Sequence, residues 1–240
     1  MNYKSDIDVK LIDYMGGDHM VVAAAKVSTN GTEAMRLASQ EHKDANYGLI
    51  NYLMKHRHGT PFEHGAATFF VHAPICVWRE WHRHRIGFSY NEESGRYKKL
   101  EPTFYLPKQD RPMMKVDGWK PGRPKFLECH DGETYDQLCR NLSEGYKVSY
   151  EMYEKNLALG VDPGLARDCL NVGIYSACWV TCNPRSIMSF LSLRTHDPMA
   201  DRVSYPLWEI EIPARKIEKI FGELWPLTYK AWQENGRVAP

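Results

Sequence analysis

The run from Thr134 to Leu159 constrains the fold more than any other stretch of the 240 residues. Tyr135, Leu138, Leu142, Tyr146, Tyr150, Tyr153 and Leu157 recur three or four apart, the spacing that lines up one face of an α-helix. Gly160 then supplies a residue suited to the left-handed turn on which helices end. An aromatic stripe of this kind reads as core or subunit contact before it reads as a cofactor box.

The neighbouring segments are shorter. Val9 to Met15 alternates as a strand, Gly16 and Gly17 end it, and Asp18 is placed to cap an Ala-rich helix to Val27. A second helix is expected near Thr32, and a third from Asp44 to about His56, with Tyr47, Ile50, Leu53 and Met54 on one face. HGTPFEHG interrupts it as a loop, residues 66–73 form a short strand, and Pro74 suits the first position of a helix carrying Ile75, Val77, Trp78 and Trp81. Pro102, Pro107, Pro112, Pro121 and Pro124 forbid a helix between 98 and 132, so that stretch reads as strand pieces in a long excursion. Asp162-Pro163 opens a helix leading to Arg167, residues 171–181 include a β-prone stretch, and Asn183-Pro184 opens a helix ending near Arg194. The chain from Trp208 is helical in period, with a kink expected at Pro213 and a break near Pro226. No composition break marks a second domain, so residues 1–240 read as one.

Formal net charge is only +1, so no global field recruits nucleic acid or an anionic membrane, and the basic residues that matter must be local. Six cysteines without a Cys-x-x-Cys pair fit reduced thiols. The start of the chain lacks the apolar stretch of a signal peptide, and no apolar run is long enough to span a bilayer, so the expected location is the cytoplasm.

The functional signal is concentrated between Arg83 and Tyr97, in RHRIGFSYNEESGRY. Arg83, Arg85 and Arg96 offer planar donor forks suited to phosphate or carboxylate. Ser89, Asn91, Glu92 and Ser94 add short polar groups for hydroxyls, imides or amides. His58, His64 and His84, among six histidines between positions 56 and 84, keep open a metal-dependent hydrolase. Against it stand Arg57, Arg79, Arg83 and Arg85, which repel a divalent cation. Trp78, Trp81, Phe88 and Tyr90 beside the arginines keep open a module for single-stranded nucleic acid, opposed by Glu92 and Glu93 inside the patch. There is no Gly-x-Gly-x-x-Gly or Walker loop, so any nucleotide must be held by side chains. Arg185 and Arg194, nine residues apart, lie about half a turn out of phase, which suits two ligands, one at each helix end.

RHR followed by Ser-Gly-Arg resembles the signature of the flavin-dependent thymidylate synthases, with eight intervening residues here against the usual seven or so. HGTPFEH at 58–64, Arg167, Asn183-Pro184-Arg185 and Leu193-Arg194-Thr195 follow in family-like order, so the resemblance covers roughly residues 20–212. It implies an α/β (α+β) fold with a central sheet and flanking helices, the thymidylate synthase-complementing protein fold, in a homotetramer whose subunits share active sites. The implied activity is that of a methyltransferase and flavoprotein of dTMP biosynthesis. It converts dUMP to dTMP with 5,10-methylenetetrahydrofolate as carbon donor, FAD as hydride carrier and NADPH as reductant; no metal, nucleic acid or membrane is involved.

Residue by residue, the resemblance assigns Thr60, Arg83, His84, Arg85, Glu92, Asn183 and Arg185 to flavin, with His58 a neighbour and Ser189 standing where the family has Asn. Nucleotide positions are Arg83, Glu92, Glu93, Ser94, Gly95, Arg96, Arg167 and Arg194, with Glu80 standing where the family has Gln. Glu93 replaces the usual leucine, and HDPMADR at 196–202 is longer than usual. Ser94 is the one signature alcohol at a substrate position, yet a serine needs an adjacent base to attack. Arg194 is therefore the expected catalytic residue, a permanent cation that stabilises the deprotonated uracil imide.

Overall fold

Backbone hydrogen bonding closes the following elements over the residues that the computed structural model describes, 1–38, 46–118, 120 and 125–240. The strands are β1 (Asn2–Lys4), β2 (Asp8–Met15), β3 (Ala66–Pro74), β4 (Phe88–Glu92), β5 (Thr103–Tyr105), β6 (Met114–Lys115), β7 (Phe126–Leu127) and β8 (Tyr175–Cys182). The helices are α1 (Asp18–Asn30), α2 (Glu33–Ala38), α3 (Tyr47–Lys55), α4 (Ile75–Trp81), α5 (Gly132–Ala158), α6 (Pro163–Ala166), α7 (Pro184–Arg194), α8 (Trp208–Leu224) and α9 (Pro226–Glu234). A four-stranded sheet runs in the order β2-β3-β8-β4, and β1 pairs in parallel with β5, Tyr3 opposite Phe104. The mixed α/β class with sheet and helices is therefore as expected. Among the described residues no helix is long and apolar enough to cross a membrane.

The chain forms two units, each taking three separate stretches. One holds Met1–Asp8, His72–His82 and Glu92–Cys178; the other holds Val9–Val71, Arg83–Asn91 and Trp179–Pro240. In the first, Asp131 caps α5 by accepting from Glu133 N at 3.0 Å, and Gly160 (φ 76) lies just past the helix end. Tyr146, Tyr150 and Tyr153 from the stripe are buried with Leu100, Phe104, Ala166 and Ile174, and Leu142 and Leu157 pack against them. Two of the tyrosine hydroxyls are hydrogen-bonded there as well. Tyr150 donates to Leu100 O at 2.7 Å and Tyr153 accepts from Leu100 N at 3.2 Å, which fastens the proline-rich stretch to α5. Pro121 and Pro124 lie outside the described residues.

In the second unit α7 packs against α8, α8 against α9, and α9 against α3. Phe190, Phe221, Trp225 and Trp232 are fully or almost fully buried. Helix α8 passes through Pro213 and ends at Leu224, and Pro226 starts α9, which is the break expected near that proline.

Some local expectations are corrected. Pro74 closes β3 and precedes the helix, which starts at Ile75. The 58–65 loop contains a 3-10 turn over Thr60–Glu63. The described helix α3 begins at Tyr47; Asp44, where the sequence starts it, lies outside the described residues. Asp18 does not cap its own helix. Its carboxylate accepts from Leu227 N at 2.8 Å, Thr228 N at 2.9 Å and Thr228 Oγ1 at 2.7 Å, capping α9 from 210 residues away in sequence. Helix α9 has no side-chain cap from the residue before it, Trp225, and Asp18 takes that place.

Removing that carboxylate strands three donors near a buried helix start. Asp18→Ala is expected to lower the free energy of unfolding by about 1–3 kcal/mol in urea titrations. A loss below about 0.5 kcal/mol would mean that water satisfies those donors equally well.

Candidate functional site

Helix α7 organises the flavin-assigned side chains. Asn183 caps it by accepting from Ser186 N at 2.8 Å, and Pro184 occupies the first turn where no N–H is needed. Its two arginines end on different partners. Arg185 donates through Nη1 to Glu63 Oε1 at 2.6 Å and through Nε to Pro240 O at 2.7 Å. Its guanidinium lies over Gly59, where a Cβ would come within 2.5 Å of it. His58 and Thr60 flank that glycine, and together with Leu53, Pro61, His64 and the small residues Ala24, Ala25 and Ser28 they line a cavity of about 250 Å³.

At the other end of α7, Arg194 Nε donates to His84 Nε2 at 3.0 Å. The His84 ring stands edge-on to Phe190 at 5.0 Å, and its backbone oxygen accepts from Tyr90 Oη at 2.6 Å. Burial, then Arg194, then Arg83 push the His84 pKa down from 6.5 to about 4. A neutral imidazole can accept the arginine's hydrogen bond; an imidazolium could not. The turn after His84 is fastened to the start of α7. Gly87 adopts φ 67 with its Cβ position 2.2 Å from Ser186 Oγ, and Ser186 Oγ donates to Ile86 O at 2.9 Å. Arg83, Arg85 and Ser189 are exposed.

Within the other unit, most of the nucleotide-assigned residues sit in or beside one turn. Glu92 Oε1 accepts from Ser176 Oγ at 2.6 Å. Glu93 Oε1 accepts from Ala177 N at 2.8 Å while its own N–H donates to Ala177 O at 2.8 Å, and Lys98 Nζ lies 2.8 Å from Oε2. The carboxylate that replaces leucine thus anchors the turn to β8. The sequence marks Glu93 only as a departure from leucine, and Lys98 five residues on was the available signal of its pairing. Ser94 Oγ accepts from Arg96 N at 3.3 Å. Gly95 is buried, and a Cβ there would meet Arg167 Cδ at 3.2 Å and Leu100 at 3.0 Å. Arg96 packs on Gly164, where a Cβ would meet its Cγ at 3.3 Å, and Glu80 is half-buried on α4.

The structure therefore brings Glu92, Glu93, Ser94, Gly95, Arg96 and Arg167 together in one unit, and His58, Thr60, His84, Asn183, Arg185 and Arg194 in the other. Glu63, next to His64 in the sequence, is the partner of Arg185. Among the described residues no group of three or more His, Cys, Asp or Glu side chains is placed to hold a metal ion. The cysteines are free thiols, and burial pushes the Cys182 thiol far up, away from thiolate chemistry.

Comparison with known proteins gives a consistent result. The family model described as thymidylate synthase complementing protein matches residues 10–227. A flavin-dependent thymidylate synthase of Streptomyces avermitilis is 44% identical over 239 residues, covering 100% of this chain and 96% of that protein. One from Tropheryma whipplei is 43% identical over 238 residues, covering 99% of this chain and 97% of that protein. Among solved structures, a UMP/dUMP methylase, PolB, from Streptomyces cacaoi bound with 5-Br dUMP superposes with a TM-score of 0.90 at 41% identity, covering 100% of both chains. The same methylase bound with 5-Br UMP gives a TM-score of 0.89 at 40% identity over the same coverage.

The His84 environment has a measurable consequence. Its folded pKa near 4 lies below the ordinary 6.5, so the unfolded chain takes up a proton between those values that the folded chain refuses. This contribution to stability is intact above about pH 6.5 and is lost as the pH falls toward 4. NMR titration should show His84 neutral throughout the neutral range, and Arg194→Ala should raise its pKa. A His84 that titrates at 6.5 in the intact protein would contradict the hydrogen bond.

Proposed function

We propose, for a chain that belongs to the thymidylate synthase complementing protein family and acts as a flavin-dependent thymidylate synthase, that dUMP is methylated to dTMP by the side chains described above. The carbon donor would be 5,10-methylenetetrahydrofolate and the reductant NADPH, with FAD as the cofactor these residues would hold. When bound, the flavin supplies the hydride that completes the methyl group. The residues present suit it. His58 and Thr60 border a cavity with apolar walls at Leu53 and Pro61, Gly59 leaves room for the Arg185 guanidinium beside it, and Arg83, Arg85 and Arg185 suit a pyrophosphate. Asn183, Ser189 and Glu92 complete the flavin contacts.

Glu80, Arg83, Glu92, Glu93, Ser94, Gly95, Arg96 and Arg167 hold the nucleotide, with arginine forks on the phosphate and backbone of the 93–95 turn on the rest. Arg194 stabilises the uracil imide anion, which raises electron density at the ring carbon that takes the one-carbon unit. The observation that carries this assignment is the bond from Arg194 Nε to His84 Nε2 at 3.0 Å, which fixes where that cation points without consuming a proton. Ser94 positions the nucleotide. The hydrogen bond it accepts comes from the backbone of Arg96, a donor that cannot act as a base.

Residues 1–240 work as one catalytic domain, because each unit is assembled from three stretches and neither can be cut out as a continuous segment. The active form is a cytoplasmic homotetramer with active sites shared between subunits. In support, Ile86 and Tyr97 within and beside the signature are 89% and 81% exposed in the single chain, apolar surface that a subunit contact would cover. Acceptance of UMP beside dUMP is a second reading, favoured by the likeness to a UMP/dUMP methylase over the whole chain.

The purified protein should carry the visible absorbance of FAD and form dTMP from dUMP with folate donor and NADPH. Arg194→Ala should lose about 10²- to 10³-fold in turnover with flavin retained, whereas Ser94→Ala should keep measurable dTMP formation. The reverse pattern, an inactive Ser94→Ala with ligands bound and an active Arg194→Ala, would replace the electrostatic mechanism with covalent activation. Comparing dUMP and UMP in the same assay decides the second reading. Light scattering should give the mass of four chains; a fully active monomer would overturn the shared site.

A further inference from the structure

The segment that follows Arg194 has no part in the chemistry above, yet it is anchored at successive residues. Thr195 is 2% exposed. Its hydroxyl donates to Leu191 O at 2.6 Å and accepts from Arg237 Nη2 at 2.9 Å, so both hydrogen-bonding roles of the group are filled. The backbone N–H of His196 donates to Glu211 Oε1 at 2.9 Å, and its carbonyl accepts from Arg215. Asp197 Oδ2 lies 3.3 Å from Arg237 Nε. Glu218, 6% exposed, joins the two arginines, one carboxylate oxygen 2.7 Å from Arg237 Nη1 and the other 3.0 Å from Arg215 Nη1.

Arg237 is held in a conformation that arginine rarely adopts. It has φ 58, directly after Gly236 at φ 74, where a Cβ would lie 2.2 Å from the Asp201 carboxylate. Left-handed backbone disfavours a side chain with a Cβ, so its persistence implies that the surrounding contacts over-determine it. The guanidinium lies 4.2 Å over the ring of the buried Trp232 and is itself only 6% exposed. A planar fork locked on three sides defines direction as well as charge.

We infer that Arg237, acting through the Thr195 hydroxyl, is a positioning residue that sets where the guanidinium of Arg194 points. This rests on the role of Arg194 given above. Thr195 closes the last turn of α7, so a shift of its hydroxyl moves the backbone from which Arg194 projects toward His84. Small misplacements of a reacting group are expensive: about 1 Å can cost on the order of 10²-fold in rate.

Thr195→Val keeps the shape and removes the hydroxyl while leaving the Arg237–Glu218 ion pair in place. It should lose about tenfold in kcat with KM for dUMP unchanged, and the imidazole nitrogen shifts of His84 should move toward those of Arg194→Ala. Thr195→Ser, which restores the hydroxyl, should recover kcat to within about twofold. Should Thr195→Val fail to fold, Arg237→Lys gives the same test, since an ammonium keeps the charge but cannot reach all three partners; kcat should fall with KM unchanged. If Arg194→Ala loses turnover while Thr195→Val and Arg237→Lys keep wild-type kcat, the positioning role is overturned and that of Arg194 stands. Equal losses in Thr195→Val and Thr195→Ser also overturn it. Arg194→Ala with wild-type turnover overturns both.

Discussion

A guanidinium can donate to an imidazole only while that imidazole is neutral, and the bond between Arg194 and His84 imposes this condition on the signature. Arg83 and Arg85 flank His84, and a protonated ring among them would add a repelling charge. Burial and the neighbouring cations expel the proton and turn the histidine into an acceptor. The bond then ties the signature turn to the end of α7, while Ser186 ties the same turn to its start through Ile86. One helix thus holds both sides of the turn, and the arginines inherit a rigid base.

The elements that could be read from the sequence are those whose causes are local. The α5 stripe, the Asn183 and Asp162 caps, and the prolines that open α6, α7 and α9 all act within a few residues. The mistaken local assignments have the opposite character. Asp18 reads as the cap of α1 because the residue types around it fit, but its partners are Leu227 and Thr228, and nothing in residues 16–20 announces them. Pro74 satisfied a rule for helix starts that also fits the end of a strand.

For the candidate site, the resemblance named the side chains, and the residues themselves explained why such side chains suit a nucleotide. What neither supplied is the support. Glu93 reads as a departure at a nucleotide position, yet its carboxylate accepts a backbone hydrogen bond from β8. Thr195 is one more hydroxyl in the sequence until Arg237 approaches from 42 residues away. Periodicity reports which face of an element is buried; it is silent on which distant polar group completes a hydrogen bond. Long-range polar pairing is therefore the part of such a site that is read last.

The interleaving of the two units bears on how the chain is made. In the unit that begins at Val9, Asp18 waits for Thr228, Tyr47 for Glu234, and Arg57 for the carbonyl of Val238. A ribosome emits these partners 181 to 210 residues later, so the amino-terminal helices spend that interval of translation with their docking surface uncovered. Closing contacts of such high sequence separation slows folding and leaves apolar faces open to other nascent chains. The delay before the amino-terminal helices of this unit are covered is thus set by α9, which is synthesised long after the helices it packs against.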